Sequence, residues 1–210
     1  MSDEPEQRAD PPKMVRAWDP FVRIGHWTIL AAFIVAYSDN HSFPQHAIMG
    51  YVIFGVVVCR FVWGFIGTKY ARFTDFIYSP REIWAYTLAA FRMGEAKEYI
   101  SHNPMAAMMV FTLLFMLFAI SVSGMMVYSS QQMAGPLGEL VPFAWMDRLE
   151  LIHHALASIT AWLGVVHFVG IMWASWWHRQ NYILAMITGM KPAHKRRAKR
   201  TRAADRKSPT

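Results

Sequence analysis

Four histidines sit inside apolar runs of the chain: His26, His46, His153 and His167. An ionisable ring is expensive in such surroundings and marks function. The runs that hold them contain no Asp or Glu, which argues against a carboxylate-based proton or ion pathway. The His-Glu-x-x-His pattern of a zinc protease does not occur either. His153 and His167 are 14 residues apart, close to four helical turns, so on a helix they share a face and stand roughly 21 Å apart along its axis. His154 is turned about 100° from His153 and points elsewhere. Imidazole is a common axial ligand of haem iron, and helix bundles present such ligands from facing helices. Two ligand positions at two depths of one helix point to two haems, one above the other. The bland alternative makes each histidine a hydrogen-bonded packing residue, and four at paired depths weaken it.

The elements that must position these rings follow from composition. Of 210 residues, 54% are apolar and 17% charged, with 9 Trp, 14 Phe and 15 Met; a soluble domain carries about 25% charged residues. The mean hydropathy of +0.18 averages apolar blocks with very polar ends. A chain disordered throughout is excluded. The single cysteine, Cys59, excludes an intrachain disulfide framework, a cysteine-bound iron–sulfur cluster and the C-x-x-C-H attachment of c-type haem. Any haem is therefore held non-covalently. Four apolar blocks run from about Phe21 to Ser38, Gln45 to Gly67, Pro104 to Tyr128 and Leu151 to Trp177. Each meets or approaches the roughly 20 residues needed to cross hydrocarbon. Helices satisfy their backbone internally, so the expected fold is all-α, an integral membrane four-helix bundle. Four buried helices of a soluble bundle would need polar faces that these blocks lack.

Orientation follows from Lys and Arg. Arg8, Lys13, Arg16 and Arg23 precede or open the first block. Lys69, Arg72, Arg81, Arg92 and Lys97 lie between the second and third, and a basic run from Arg179 to Lys207 follows the fourth. The first-to-second connection has no Lys or Arg, and the third-to-fourth has Arg148 beside Glu139, Asp147 and Glu150. Both termini are expected in the cytoplasm, with the two poor connections facing outward. Residues 1–15 form a polar, Pro-rich tail without a secretory signal, expected to be disordered. Residues 16–190 form the membrane domain and 191–210 a basic cytoplasmic tail, whose simplest partner is anionic lipid rather than nucleic acid. Ser79-Pro80-Arg81-Glu82 reads as a capping box. It opens an amphipathic surface helix between the second and third spans, with Ile83, Trp84, Thr87, Leu88 and Phe91 on one face.

This topology pairs the histidines. His46 and His153 lie near the outer ends of their spans and His26 and His167 toward the cytoplasm, so the outer haem is expected on the first pair and the inner haem on the second. Gly50, Gly55, Gly164 and Gly170 could admit a flat macrocycle or serve ordinary close packing. Arg60 lies 14 residues after His46, on the same face at the depth of the inner haem. It is expected to pair with a haem propionate, unless it snorkels to the surface. Trp18, Arg23 and Trp27 beside His26 offer either a quinone wall and polar handle or interfacial anchoring. His102 is interfacial, and His41, His178 and His194 have no assigned role. The methionines of the third block suit packing better than copper.

These residues also carry a family pattern. Val15-Arg16-Ala17-Trp18-Asp19-Pro20 through Arg23-Ile24-Gly25-His26-Trp27 resembles the opening of the bacterial di-haem cytochrome b family that includes the membrane subunit of nickel–iron hydrogenases. So do His46-Ala47-Ile48-Met49-Gly50-Tyr51, Ser79-Pro80-Arg81-Glu82, His102-Asn103-Pro104, His153-His154-Ala155-Leu156-Ala157, His167, and Asn181-Tyr182 through Ala185-Met186-Ile187-Thr188-Gly189. The resemblance spans about Val15 to Lys191, and its ligand pattern maps onto His26, His46, His153 and His167. It implies two b-type haems and electron transfer between a periplasmic redox protein or oxidoreductase subunit and membrane quinone. The chain supplies no cluster for hydrogen chemistry, so such activity would belong to another subunit. Two other readings stay open on sequence: a stand-alone oxidoreductase passing electrons between a small molecule such as superoxide and quinone, and a haem-free membrane adaptor or transporter.

Overall fold

The computed structural model describes residues 14–16, 18–38, 43–91, 103–132, 136–137 and 141–192. The expected disordered tail before residue 14, the basic run after 192, and His41, His102, Arg92 and Lys97 lie outside the described residues. Four long helices dominate: α1 (Pro20–Ser38), α2 (Phe43–Ile66), α4 (Pro104–Gln132) and α5 (Met146–His178), with α3 (Pro80–Phe91) and α6 (Tyr182–Thr188) between and after them. The mean hydropathy of their apolar windows runs from 1.4 in α1 to 2.5 in α4. With 29 and 33 residues, α4 and α5 exceed the roughly 30 Å of hydrocarbon and project beyond it. The periodic blocks underestimated α5 by its first turn, where Met146, Asp147 and Arg148 break the apolar run without breaking the helix.

Local chemistry sets the helix starts. Asp19, Ser79 and Asn103 each stand before a proline at the first helical position, the place where a missing N–H costs nothing. Asp19 Oδ1 accepts from the Phe21 N–H at 2.8 Å, and Asn103 Oδ1 from the Ala106 N–H at 2.7 Å. Ser79 and Glu82 form the reciprocal capping box: the Glu82 N–H donates to Ser79 Oγ and the Ser79 N–H to Glu82 Oε2. Each cap contributes about 1 kcal/mol.

The spans run up and down. α1 packs on α2, α2 on α4, and α4 on α5, whereas α5 has no comparable packing on α1 or α2. One core of Ala32, Ile53, Val57 and Leu117 joins α1, α2 and α4; a second, of Phe73, Phe76, Ala107 and Leu114, seats the α2–α3 connection on α4. The outward faces carry large apolar side chains: Phe65, Phe115, Trp162 and Trp176 are each about two-thirds exposed or more. Patches this extensive have a place in lipid and none in water. The chain is a multi-pass membrane protein. The surface helix α3 lies along α4 and leaves Trp84 71% exposed.

A feature without any signal in the sequence closes one end of the bundle. Met14–Arg16 (β1) pairs antiparallel with Met190–Pro192 (β2), so the membrane domain extends to Pro192. The Trp18 N–H donates to the Gly189 carbonyl at 3.2 Å. Arg23 donates from Nε to the Met186 carbonyl at 3.0 Å and from Nη2 to the Ile187 carbonyl. Gly189 ends α6 at φ +80°, and a Cβ there would stand 2.8 Å from Arg23 Nη1, so both conformation and space call for glycine. This end also holds the α2–α3 connection, with Lys69 and Arg72.

Candidate functional site

The four intramembrane histidines come together as two pairs. The rings of His46 on α2 and His153 on α5 have centroids 5.9 Å apart, and those of His26 on α1 and His167 on α5 are 6.4 Å apart. Both pairs reach across the space between α5 and the α1–α2 pair, where the backbones do not pack. The 14-residue interval on α5 keeps the two pairs on one face of that helix, roughly 21 Å apart along it.

This geometry suits one kind of metal. Two imidazoles bonded from opposite sides of a single metal atom at about 2.0–2.1 Å have ring centroids about 6 Å apart. Among the described residues no three His, Cys, Asp or Glu side chains converge on one point. A structural zinc takes four protein ligands and a catalytic one three. Each pair of imidazoles would fit a metal held by a macrocycle, whose redox chemistry the bound group would supply.

Space for a flat group lies beside both pairs. Gly50 is one turn from His46 and Gly164 one turn from His167, on the histidine faces of α2 and α5. A Cβ at either would meet nothing within 4 Å. Gly55 is nine residues from His46 and so faces the opposite way. There it lines an apolar cleft of about 360 Å³ between α1 and α2, with Ile24, Gly25, Thr28 and Cys59.

The rings of His46 and His153 are oriented by hydrogen bonds. His46 Nδ1 lies 3.0 Å from the Ala36 carbonyl oxygen. A carbonyl only accepts, so Nδ1 carries the proton and Nε2 the free lone pair. His153 Nδ1 lies 3.0 Å from Ser123 Oγ. Sequence reasoning missed both Ala36 and Ser123. A backbone partner has no residue signature, but Ser121-Val122-Ser123-Gly124 is a polar, small-residue interruption in the middle of an uncharged helix. The ring of His154 has its centroid 6.2 Å from that of His153 and faces Glu150, Nε2 to Oε1 3.7 Å.

At the basic end, His26 Nδ1 is buried and has no hydrogen-bond partner among the described residues. Arg60 is 9% exposed. Its Nη2 donates to the Ala71 carbonyl at 3.1 Å, and the guanidinium lies over the Phe73 ring, 4.9 Å from its centroid. Its Nη1 is buried without a hydrogen-bond partner among the described residues. Arg23, read from the sequence as a polar handle near His26, spends its donors on α6.

The family model described as prokaryotic cytochrome b561 matches residues 17–189. A "Probable Ni/Fe-hydrogenase B-type cytochrome subunit" of Bradyrhizobium diazoefficiens is 26% identical over 226 residues, covering 90% of each chain. A protein of the same name in Rhodobacter capsulatus is 23% identical over 190 residues, covering 81% of this chain and 68% of that one. No solved structure gives a significant match. The family match covers all four spans and α6, and it agrees with paired imidazoles in an apolar bundle: the chain belongs to the prokaryotic cytochrome b561 family, membrane cytochromes b that bind b-type haem and work in electron transfer.

Proposed function

We propose that this chain is a di-haem cytochrome b that relays electrons between a redox partner at its outer face and the membrane quinone pool. The observation that carries the reading is the two histidine ring pairs at two levels of α5, 5.9 and 6.4 Å between ring centroids. His46 and His153 are the ligands of the outer haem, and His26 and His167 those of the inner one. Bound haem supplies the one-electron chemistry. The protein holds each group by two imidazoles, gives it room at Gly50 and Gly164, and encloses it in apolar helix faces that exclude water. The orphan Nη1 of Arg60 is assigned to a propionate of the inner haem, because a buried guanidinium nitrogen needs an acceptor.

The distribution of Lys and Arg supports placing the clasped end on the cytoplasmic side of a bacterial inner membrane, with the basic residues that follow β2 along anionic lipid. The partner is then a periplasmic oxidoreductase subunit, in keeping with the names of the two relatives. Haem quantitation on the purified protein tests the core of the reading. About two b-type haems per chain are expected; a chain that binds none is an adaptor or transporter, and a chain with one has a single ligand pair.

A further inference from the structure

Of the four spans, α4 alone carries no histidine, yet its Ser123 lies within hydrogen-bond distance of one. Ser123 Oγ donates to the Ile120 carbonyl at 2.9 Å, one turn back. A hydroxyl has one proton. With that proton committed to Ile120, Ser123 faces His153 Nδ1, 3.0 Å away, as an acceptor. His153 therefore carries its proton on Nδ1 and its lone pair on Nε2. The next residue completes the seat. A Cβ on Gly124 would stand 3.0 Å from His153 Cε1 and 3.4 Å from Nδ1, so the ring packs on bare backbone.

We propose that Ser123 and Gly124 form a positioning seat for His153 that sets the donor strength of the outer ligand pair and so holds the outer site at the lower reduction potential. The proposal rests on the four histidines being haem ligands. An imidazole that donates its remote N–H to an acceptor is a more basic ligand, and a more basic ligand favours the oxidised metal. Hydrogen bonding of this kind is one of the protein's levers on haem potential. Both outer rings have such a bond, His46 to Ala36 and His153 to Ser123, whereas the buried Nδ1 of His26 has no partner among the described residues. The two sites are thus unequal by construction. An electron arriving at the outer face runs downhill toward the clasped end.

The test is an optical redox titration of the haem-loaded protein and its variants, with His153→Ala identifying the spectral component of the outer site. In the wild type the lower midpoint is expected at that component. In Ser123→Ala the outer midpoint rises, so that at the old midpoint the ferric-to-ferrous ratio falls on the order of fivefold, or the outer haem is lost, while the inner component stays. Ser123→Thr, which keeps the hydroxyl, restores it. Ser121→Ala removes a hydroxyl that bonds the Leu117 carbonyl and moves neither component. An outer midpoint that does not move in Ser123→Ala, or two components that move equally, overturns the proposal. A wild-type chain without haem overturns the ligand assignment beneath it, which is a separate result.

Discussion

Glu150 and His154 face each other one helical turn apart on α5, with Nε2 3.7 Å from Oε1, and both side chains are about half exposed or more. That contact separates two adjacent histidines by role. His153 points inward to His46 and Ser123; His154 points outward to a carboxylate. Replacing His153 by Ala is expected to remove the outer haem and leave the inner one, so that haem per chain falls by about half. His154→Ala is expected to leave both in place. Loss from the His154 variant with retention in the His153 variant reverses the assignment.

The glycines of α2 separate in the same way. Gly50→Leu introduces a side chain into the open space on the His46 face and is expected to abolish outer-haem binding. Gly55→Leu fills the cleft against α1 on the opposite face and is expected to keep both haems. Each change replaces a glycine in a helix interior, which favours the helix by up to about 1 kcal/mol. A loss of haem in the Gly50 variant is then a matter of volume and not of unfolding. Absorbance per protein, with helicity measured alongside, decides between them; haem retained in the Gly50 variant removes that face from the site.

Arg60 joins the inner region to the α2–α3 connection. Arg60→Gln deletes a charged hydrogen bond to Ala71 worth about 1.5–3 kcal/mol and the stacking on Phe73. The melting temperature is expected to fall. If Nη1 holds a propionate, the inner haem also binds less completely and its potential shifts. Thermal melts and redox titration separate these effects, since a lower melting point with an unchanged inner haem leaves Arg60 a purely structural residue.

The relay itself is checked in oriented vesicles that contain quinone, with a membrane-impermeant donor supplied only at the outer face. Quinone reduction is expected, and it is expected to disappear in His153→Ala and in His26→Ala alike. Reduction that survives loss of the inner haem places the quinone site near His46 and His153.

The sequence made the four spans legible because lipid demands long uncharged blocks, and those blocks bracket α1, α2, α4 and α5. It also made the two histidine couples legible. A 14-residue interval fixes face and depth on one helix, and alternating helix directions choose the partners on the others. What escaped depended on contacts between segments far apart in the chain. The bond from Ala36 to His46 uses a carbonyl, which every residue has. The seat at Ser123 and Gly124 becomes visible only when α4 is placed beside α5. The bonds of Arg23 to α6 had no local signal because the carbonyls it caps lie some 160 residues away, and the pairing of residues 14–16 with 190–192 has no periodic signal in three-residue strands.

That clasp has a consequence for the order in which the molecule is made. Trp18 and Arg23 leave the ribosome early, yet their acceptors at Met186, Ile187 and Gly189 are translated only after all four spans. Until then α1 is tied to the rest of the bundle through α2, because it has no extensive packing on α5. The clasp between the start of α1 and the α6 segment can therefore form only after all four spans have been made.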